Sequence, residues 1–386
     1  MNQPDPALGV ILHAIGGLAS ASFYLPYRGV KGWSWESYWL VGGVFSWIIA
    51  PWTFALLQTP DLFRVLSEAP TGVLLWTYLF GVLWGIGGLT FGLTMRYLGI
   101  ALGMAMALGY CAVFGTLMPP LFRGELVAAA QTTGGTIVLF GVFICLCGIV
   151  VSGMAGRSKE RELTEEQKQT VIHEFSFGKG VLVATIAGIL SACMSYAFAV
   201  GKPIADLAVQ HGARPIWQNL PVLIVALAGG FTTNVIWCLF LNLRNRTASD
   251  YVRSSAKLGM NYLLCAIAGT IWYLQFLFYG MGTTLMGQFD FSSWTLHMAS
   301  IMIFGTVWGL ILHEWRGSSP RTHVLNLLGL LILVSSTVIV GYGNHLSTLQ
   351  TTPEERSIPA NEPVATRTDL RTTLHRTDAP SPRPIP

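Results

Sequence analysis

Asp290 and His297 stand seven residues apart in sequence apolar enough for a lipid bilayer. An acid and an imidazole at such depth are costly, and together they can hold and pass a proton. If one helix opens at Asp290, the spacing is nearly two turns and puts Asp290, Trp294 and His297 on one face. His13, a turn or two into the first apolar run, and Glu36, just after Ser34, are further candidates for the same chemistry. Around them Trp272, Tyr273, Gln275, Tyr279 and Trp294 offer flat rings and one amide in a largely apolar setting. That is the usual means of holding a polyhydroxylated small molecule.

Each candidate also has a purely structural explanation. Asp290 and Glu36 suit the N-terminus of a helix, where a carboxylate meets the dipole. The histidines can be buried packing residues, and most of the thirteen tryptophans must serve packing or the interfacial belt. Gln275 is harder to dismiss, because an amide in mid-helix needs a partner. Arg96 and Lys202 read as structural charges, pairing with an acid or snorkelling to the interface.

The elements that must carry these groups are membrane helices. The chain has 386 residues, of which 52% are hydrophobic and only 11% charged. A soluble domain has about 25% charged residues, so this chain lacks a water-facing surface. Ten runs approach the ~20 apolar residues that a helix needs to cross a bilayer. They lie near 7–27, 36–57, 72–95, 97–119, 134–153, 179–201, 215–241, 258–281, 292–312 and 322–343. The first carries Ala19-Ser20-Ala21, which resembles a leader-cleavage site, but no Lys or Arg precedes it and the run continues, so an uncleaved helix is expected. The spacing implies an all-α membrane protein of four parts. Residues 1–153 form a first five-helix repeat, 154–178 a charged linker, 179–345 a second repeat, and 346–386 a disordered tail too polar to fold.

The halves resemble one another. Trp84 and Gly92 recur 188 positions later as Trp272 and Gly280, and Leu139, Gly141 and Gly153 as Leu327, Gly329 and Gly341. Gly17, Ser20 and Ala21 match Gly188, Ser191 and Ala192 with a shorter offset. An odd number of spans per repeat inserts the second half upside down, the arrangement of many secondary transporters. Fourteen basic residues fall on the side of the linker and four on the other, with five more in the tail, so the linker is expected in the cytoplasm and both termini outside. Glycines at 81, 85, 88 and 92, and the pairs 99/103 and 305/309, make small-residue faces for close helix packing or for sliding.

Several classes are excluded. The six cysteines lie in apolar runs with no zinc or disulfide spacing, no metal or other cofactor is implied, and nothing points to nucleic acid. There is no "HExxH", "GxSxG" or paired-aspartate motif for a membrane enzyme, and no filter loop for a channel.

Five stretches carry a family resemblance: "KGWSWE" (31–36), "FGLTMRYLG" (91–99), "GTLMPP" (115–120), "IWYLQFLFYGMG" (271–282) and "FDFSSWTLHM" (289–298). Together they resemble the bacterial L-rhamnose–proton symporters of the drug/metabolite transporter superfamily, from about Leu8 to Gly343. The resemblance implies ten helices in the bacterial inner membrane and uptake of L-rhamnose, or a similar deoxysugar, with a proton. The tail and the long acidic linker depart from the family pattern. An exporter of the same superfamily is the alternative reading. The expected mechanism is alternating access in which Asp290 or Glu36 is protonated and His297 tunes or relays the proton.

Overall fold

The computed structural model describes residues 5–98, 100–122, 124–162, 177–252, 257–312 and 317–350. Among them there is no strand. Ten long helices carry the fold: α1 (Pro6–Ser22), α2 (Trp35–Gln58), α3 (Thr71–Leu98), α4 (Ile100–Phe122), α5 (Thr133–Arg161), α6 (Phe177–Val200), α7 (Leu220–Asn245), α8 (Leu258–Thr283), α9 (Ser293–Ile311) and α10 (Pro320–Gln350). Nine of the described helices are long and apolar enough to cross a membrane, and the described apolar part of α4, Met106–Phe122, is shorter. Backbone groups in lipid must be satisfied internally, which is why the apolar runs become helices.

The bounds differ from the sequence-based expectation in three places. α5 runs through the start of the expected linker to Arg161, and α10 runs five residues into the expected tail. The rest of both segments, 163–176 and 351–386, lies outside the described residues. α2 is not uniform either, because residues Phe45–Ile49 form a π-helical turn between two α-helical parts.

Helix pairing follows a pattern. α1 packs on α8 and α9; α6 packs on α3 and α4. α2 touches α8 and α7 touches α3, while α4 lies on α5 and α9 on α10. The most extensive contact joins α5 to α10. Glycines set these approaches. A side chain at Gly17 would overlap Ser300 of α9, and one at Gly188 would overlap Tyr110 of α4. A Cβ at Gly141 would stand 2.6 Å from Val340, and one at Gly329 would stand 2.5 Å from Ser152. Of the expected glycine stripe, Gly81 and Gly85 do meet α7, but Gly88 faces open space, as does Gly305. The surroundings of Gly92, Gly99 and Gly103 lie outside the described residues.

α4 carries Pro119 and Pro120, which remove the N–H groups that Gly115 and Thr116 carbonyls would accept. Ser195 Oγ of α6 donates to the Gly115 carbonyl at 3.0 Å, and Tyr196 donates to Phe114 at 3.0 Å. The neighbouring helix thus satisfies backbone that lipid cannot.

At the opposite end of the bundle from Asp290, Glu162 ties α5 to α10. It accepts the Ser319 backbone N–H at 2.8 Å and the Ser319 and Thr322 hydroxyls at 2.6 Å each. The Ser319 and Thr322 donors hold its carboxyl down at about 2, against an ordinary 4.5. A depressed folded value means stability that is present above about pH 4.5 and lost as the pH falls through about 2. Amide exchange at Ser319 should therefore keep its protection factor at about pH 5 and lose it on acidification toward about pH 2. Glu162→Ala should lack that protection at both.

Candidate functional site

Three helices bring two histidines around one tyrosine. His13 of α1 and His297 of α9 are both completely buried. Their rings lie 5.5 and 5.3 Å from the ring of Tyr279 on α8. Among the described residues neither histidine has a hydrogen-bond partner at either ring nitrogen. Buried polar atoms are nearly always satisfied, so four unpartnered imidazole nitrogens in one place mark a site rather than a packing solution.

The backbone is shaped to admit these rings. A Cβ at Gly282 would sit 2.7 Å from His13 Cε1, and one at Gly16 would sit 2.9 Å from the Gln275 carbonyl and 3.5 Å from His297. Trp294 meets Tyr279 edge-on at 5.4 Å and lies 6.2 Å from His297. Its indole N–H is already used, donating to the Cys111 carbonyl of α4 at 3.1 Å. Phe198 of α6 closes the far side of Tyr279 at 5.0 Å. Trp272, Gln275, Phe276 and Tyr279 share one face of α8 by their spacing. Gln275 is buried there, and Phe276 links Trp272 (5.3 Å) to His297 (6.2 Å). Tyr273 points about 100° away from Trp272 and packs against Phe54 of α2 at 5.6 Å, so it does not join this group.

The expected helix from Asp290 to His297 is present as one span, Asp290–Ile311, but its first turn is not α-helical. Residues Gly287–Ser292 form a 3₁₀ turn, entered at Gly287 with φ of +66°, and α9 begins only at Ser293. The tighter turn rotates Asp290 by roughly 60° relative to an α-helical register. Asp290 is exposed while His297 is fully buried.

Glu36 lies elsewhere, in the first turn of α2, buried at the opposite end of the bundle. It accepts from Asn245 Nδ2 at 2.9 Å and from Thr247 Oγ1 at 2.8 Å, which tie α2 to the end of α7. Asp250 beside it accepts from the Ser34 backbone at 2.8 Å and from Ser37 Oγ at 2.9 Å. Sequence reasoning misses Asp250, because an acid in the polar stretch after α7 looks like any solvated loop residue. Lys202 opens the short helix Lys202–Gln210 and pairs with Asp206 one turn on, half-exposed. Arg96 belongs to α3, and its side chain lies outside the described residues. Among the described residues no group of three or more His, Cys, Asp or Glu could hold a metal ion.

Residues 3–345 match the model of the L-rhamnose-proton symport protein family. An L-rhamnose-proton symporter of Salmonella paratyphi A is 38% identical over 340 residues, covering 87% of this chain and 97% of that protein. Those of Salmonella typhimurium and Salmonella newport are 37% identical over the same span. A nearly full-length match at this identity, on an all-helical membrane chain, places the protein: it belongs to the L-rhamnose-proton symport protein family.

Proposed function

We propose that this protein carries L-rhamnose or a similar deoxysugar into the bacterial cell together with a proton, by alternating access of two inverted five-helix halves. The observation that carries this reading is the pair His13 and His297, buried around Tyr279 with every ring nitrogen unpartnered.

The coupling follows from the cost of a buried charge. A protonated imidazole here needs acceptors, and leaving it without them costs several kcal/mol. Sugar hydroxyls supply acceptors to the cation and donors to the neutral imidazole. The carrier holding a proton alone is therefore disfavoured, and the form holding both is the one that reorients. Two cations this close would repel strongly in an apolar site, so the pair carries one proton. Asp290, exposed in the turn that leads into α9, would attract that proton electrostatically, while Glu36, engaged with Asn245 and Thr247, acts as a tether between α2 and α7.

The helix contacts support two related halves. Exchanging each helix of α1–α5 with its counterpart in α6–α10 converts α1–α8 into α6–α3, α1–α9 into α6–α4 and α2–α8 into α7–α3, all of which occur. Trp84 and Trp272, related by the 188-residue offset, touch at 5.5 Å. The offset that matches Gly17 to Gly188 gives His13 the counterpart Ala184, and the 188-residue offset gives His297 the counterpart Gly109. Neither counterpart carries a polar side chain, which supports a role for the histidines beyond packing.

The test is external pH on adding L-rhamnose to de-energised cells that express the protein. Alkalinisation is expected. No response to L-rhamnose or to any deoxysugar, with resistance to a toxic compound instead, would favour the exporter and overturn this reading.

A further inference from the structure

The π-helical turn of α2 lies well away from the histidine pair. Such turns are rare and concentrate at functional sites. This one carries Ser46 and Trp47, both almost fully buried in the protein interior. The Trp47 indole N–H has no hydrogen-bond partner among the described residues. Ser46 Oγ has only a long 3.4 Å bond to the Gly43 carbonyl, which it can exchange for a better acceptor.

Trp47 and Ser46 line a narrow cleft between α2, α8 and the segment just after α1, with Trp39, Trp272 and Phe23 among its other walls. The cleft has room for about one water. Its walls, from Trp39 to Trp272, lie between the end of the bundle that carries Glu36 and the histidine pair. The aromatic series is continuous: Trp39 to Trp47 at 6.1 Å, Trp47 to Trp272 at 5.4 Å, Trp272 to Phe276 at 5.3 Å, and Phe276 to His297 at 6.2 Å.

We propose that this cleft is the closed passage of the sugar and that Trp47 and Ser46 form a second, outlying subsite for a pyranose. The inference rests on the sugar–proton reading above. When α2 parts from α8, the tryptophan faces stack on the apolar face of the ring, and the Trp47 N–H and Ser46 hydroxyl take sugar oxygens. A passage lined in this way needs no charge, which fits its walls. The π turn is the local cause, because the extra residue per turn rotates Ser46 and Trp47 toward α8 instead of continuing the α-helical face.

The experiment uses the full-length protein in proteoliposomes and reads L-rhamnose-driven proton movement. Trp47→Phe keeps the ring packing and removes the N–H. It should raise the half-saturating sugar concentration about tenfold, with a maximum rate within about twofold of the parent and an unchanged proton-to-sugar ratio. Ser46→Ala should raise it about threefold, as expected for one neutral hydrogen bond. Should Trp47→Phe fail to fold, Ser46→Ala decides alone. Unchanged half-saturation in the variants that fold would overturn the subsite and leave the sugar–proton reading intact. A parent protein that moved no protons with any deoxysugar would overturn that reading, and the subsite with it.

Discussion

His297→Gln is expected to lose sugar-driven proton movement by on the order of 100-fold, the lower range for removing a positioned proton-transfer group. Glutamine is nearly isosteric in reach and offers both a donor and an acceptor, so sugar hydroxyls keep partners. It cannot take up a proton. Exchange of labelled sugar across the membrane with no gradient should therefore survive within about tenfold, since that process needs binding and reorientation but no net proton. The split between the two measurements is the informative result. A structural histidine would lose both together, because its loss would disturb α9 against α1 and α8. If alkalinisation persisted in the variant, the proton would have to be held elsewhere, with Asp290 the next group to test through Asp290→Asn.

Gly81→Ala should have the largest effect on the folded protein itself. A Cβ at Gly81 would overlap the Ala226 carbonyl oxygen, and backbone on α7 cannot swing aside as a side chain can. α7 answers with its own glycine, since a Cβ at Gly229 would overlap the Tyr78 carbonyl and stand 2.7 Å from the Val82 amide. Overpacking costs about 1–3 kcal/mol, and a backbone clash belongs at the upper end. The expected result is a sharp fall in the yield of monodisperse protein in detergent and in its Tm. Gly88→Ala is the control, because nothing lies within 4 Å of the Cβ it would add, and its stability should stay within about 0.5 kcal/mol of the parent. Equal behaviour of the two variants would show that α3 and α7 do not depend on this approach.

Part of the site is legible in the sequence alone. His13 and His297 stand out because an imidazole in membrane-grade sequence needs a reason, and both are buried at the centre of the site. The same reasoning finds Gln275, Tyr279 and Trp294, which are gathered there. It does not show that Asp290 lies in a 3₁₀ first turn, entered at Gly287 with positive φ, and is exposed while His297 is buried. Trp47 is invisible to it, one tryptophan among thirteen in an unbroken apolar run. Nothing in its neighbours announces a π turn.

The division has a physical cause. Whether a stretch crosses the bilayer is decided locally, residue by residue, by its transfer from water to lipid and by the need to satisfy its own backbone. The apolar runs, the costly polar residues within them and the recurrence of Trp84 as Trp272 are therefore properties of the sequence itself. Which side chains meet is decided by helix pairing, and in lipid that pairing rests on close approach rather than on hydrophobic burial. Gly16 and Gly282, at opposite ends of the chain, make the space in which His13 and His297 face Tyr279. Only the tertiary structure brings them together, because no local rule relates α1 to α8 and α9.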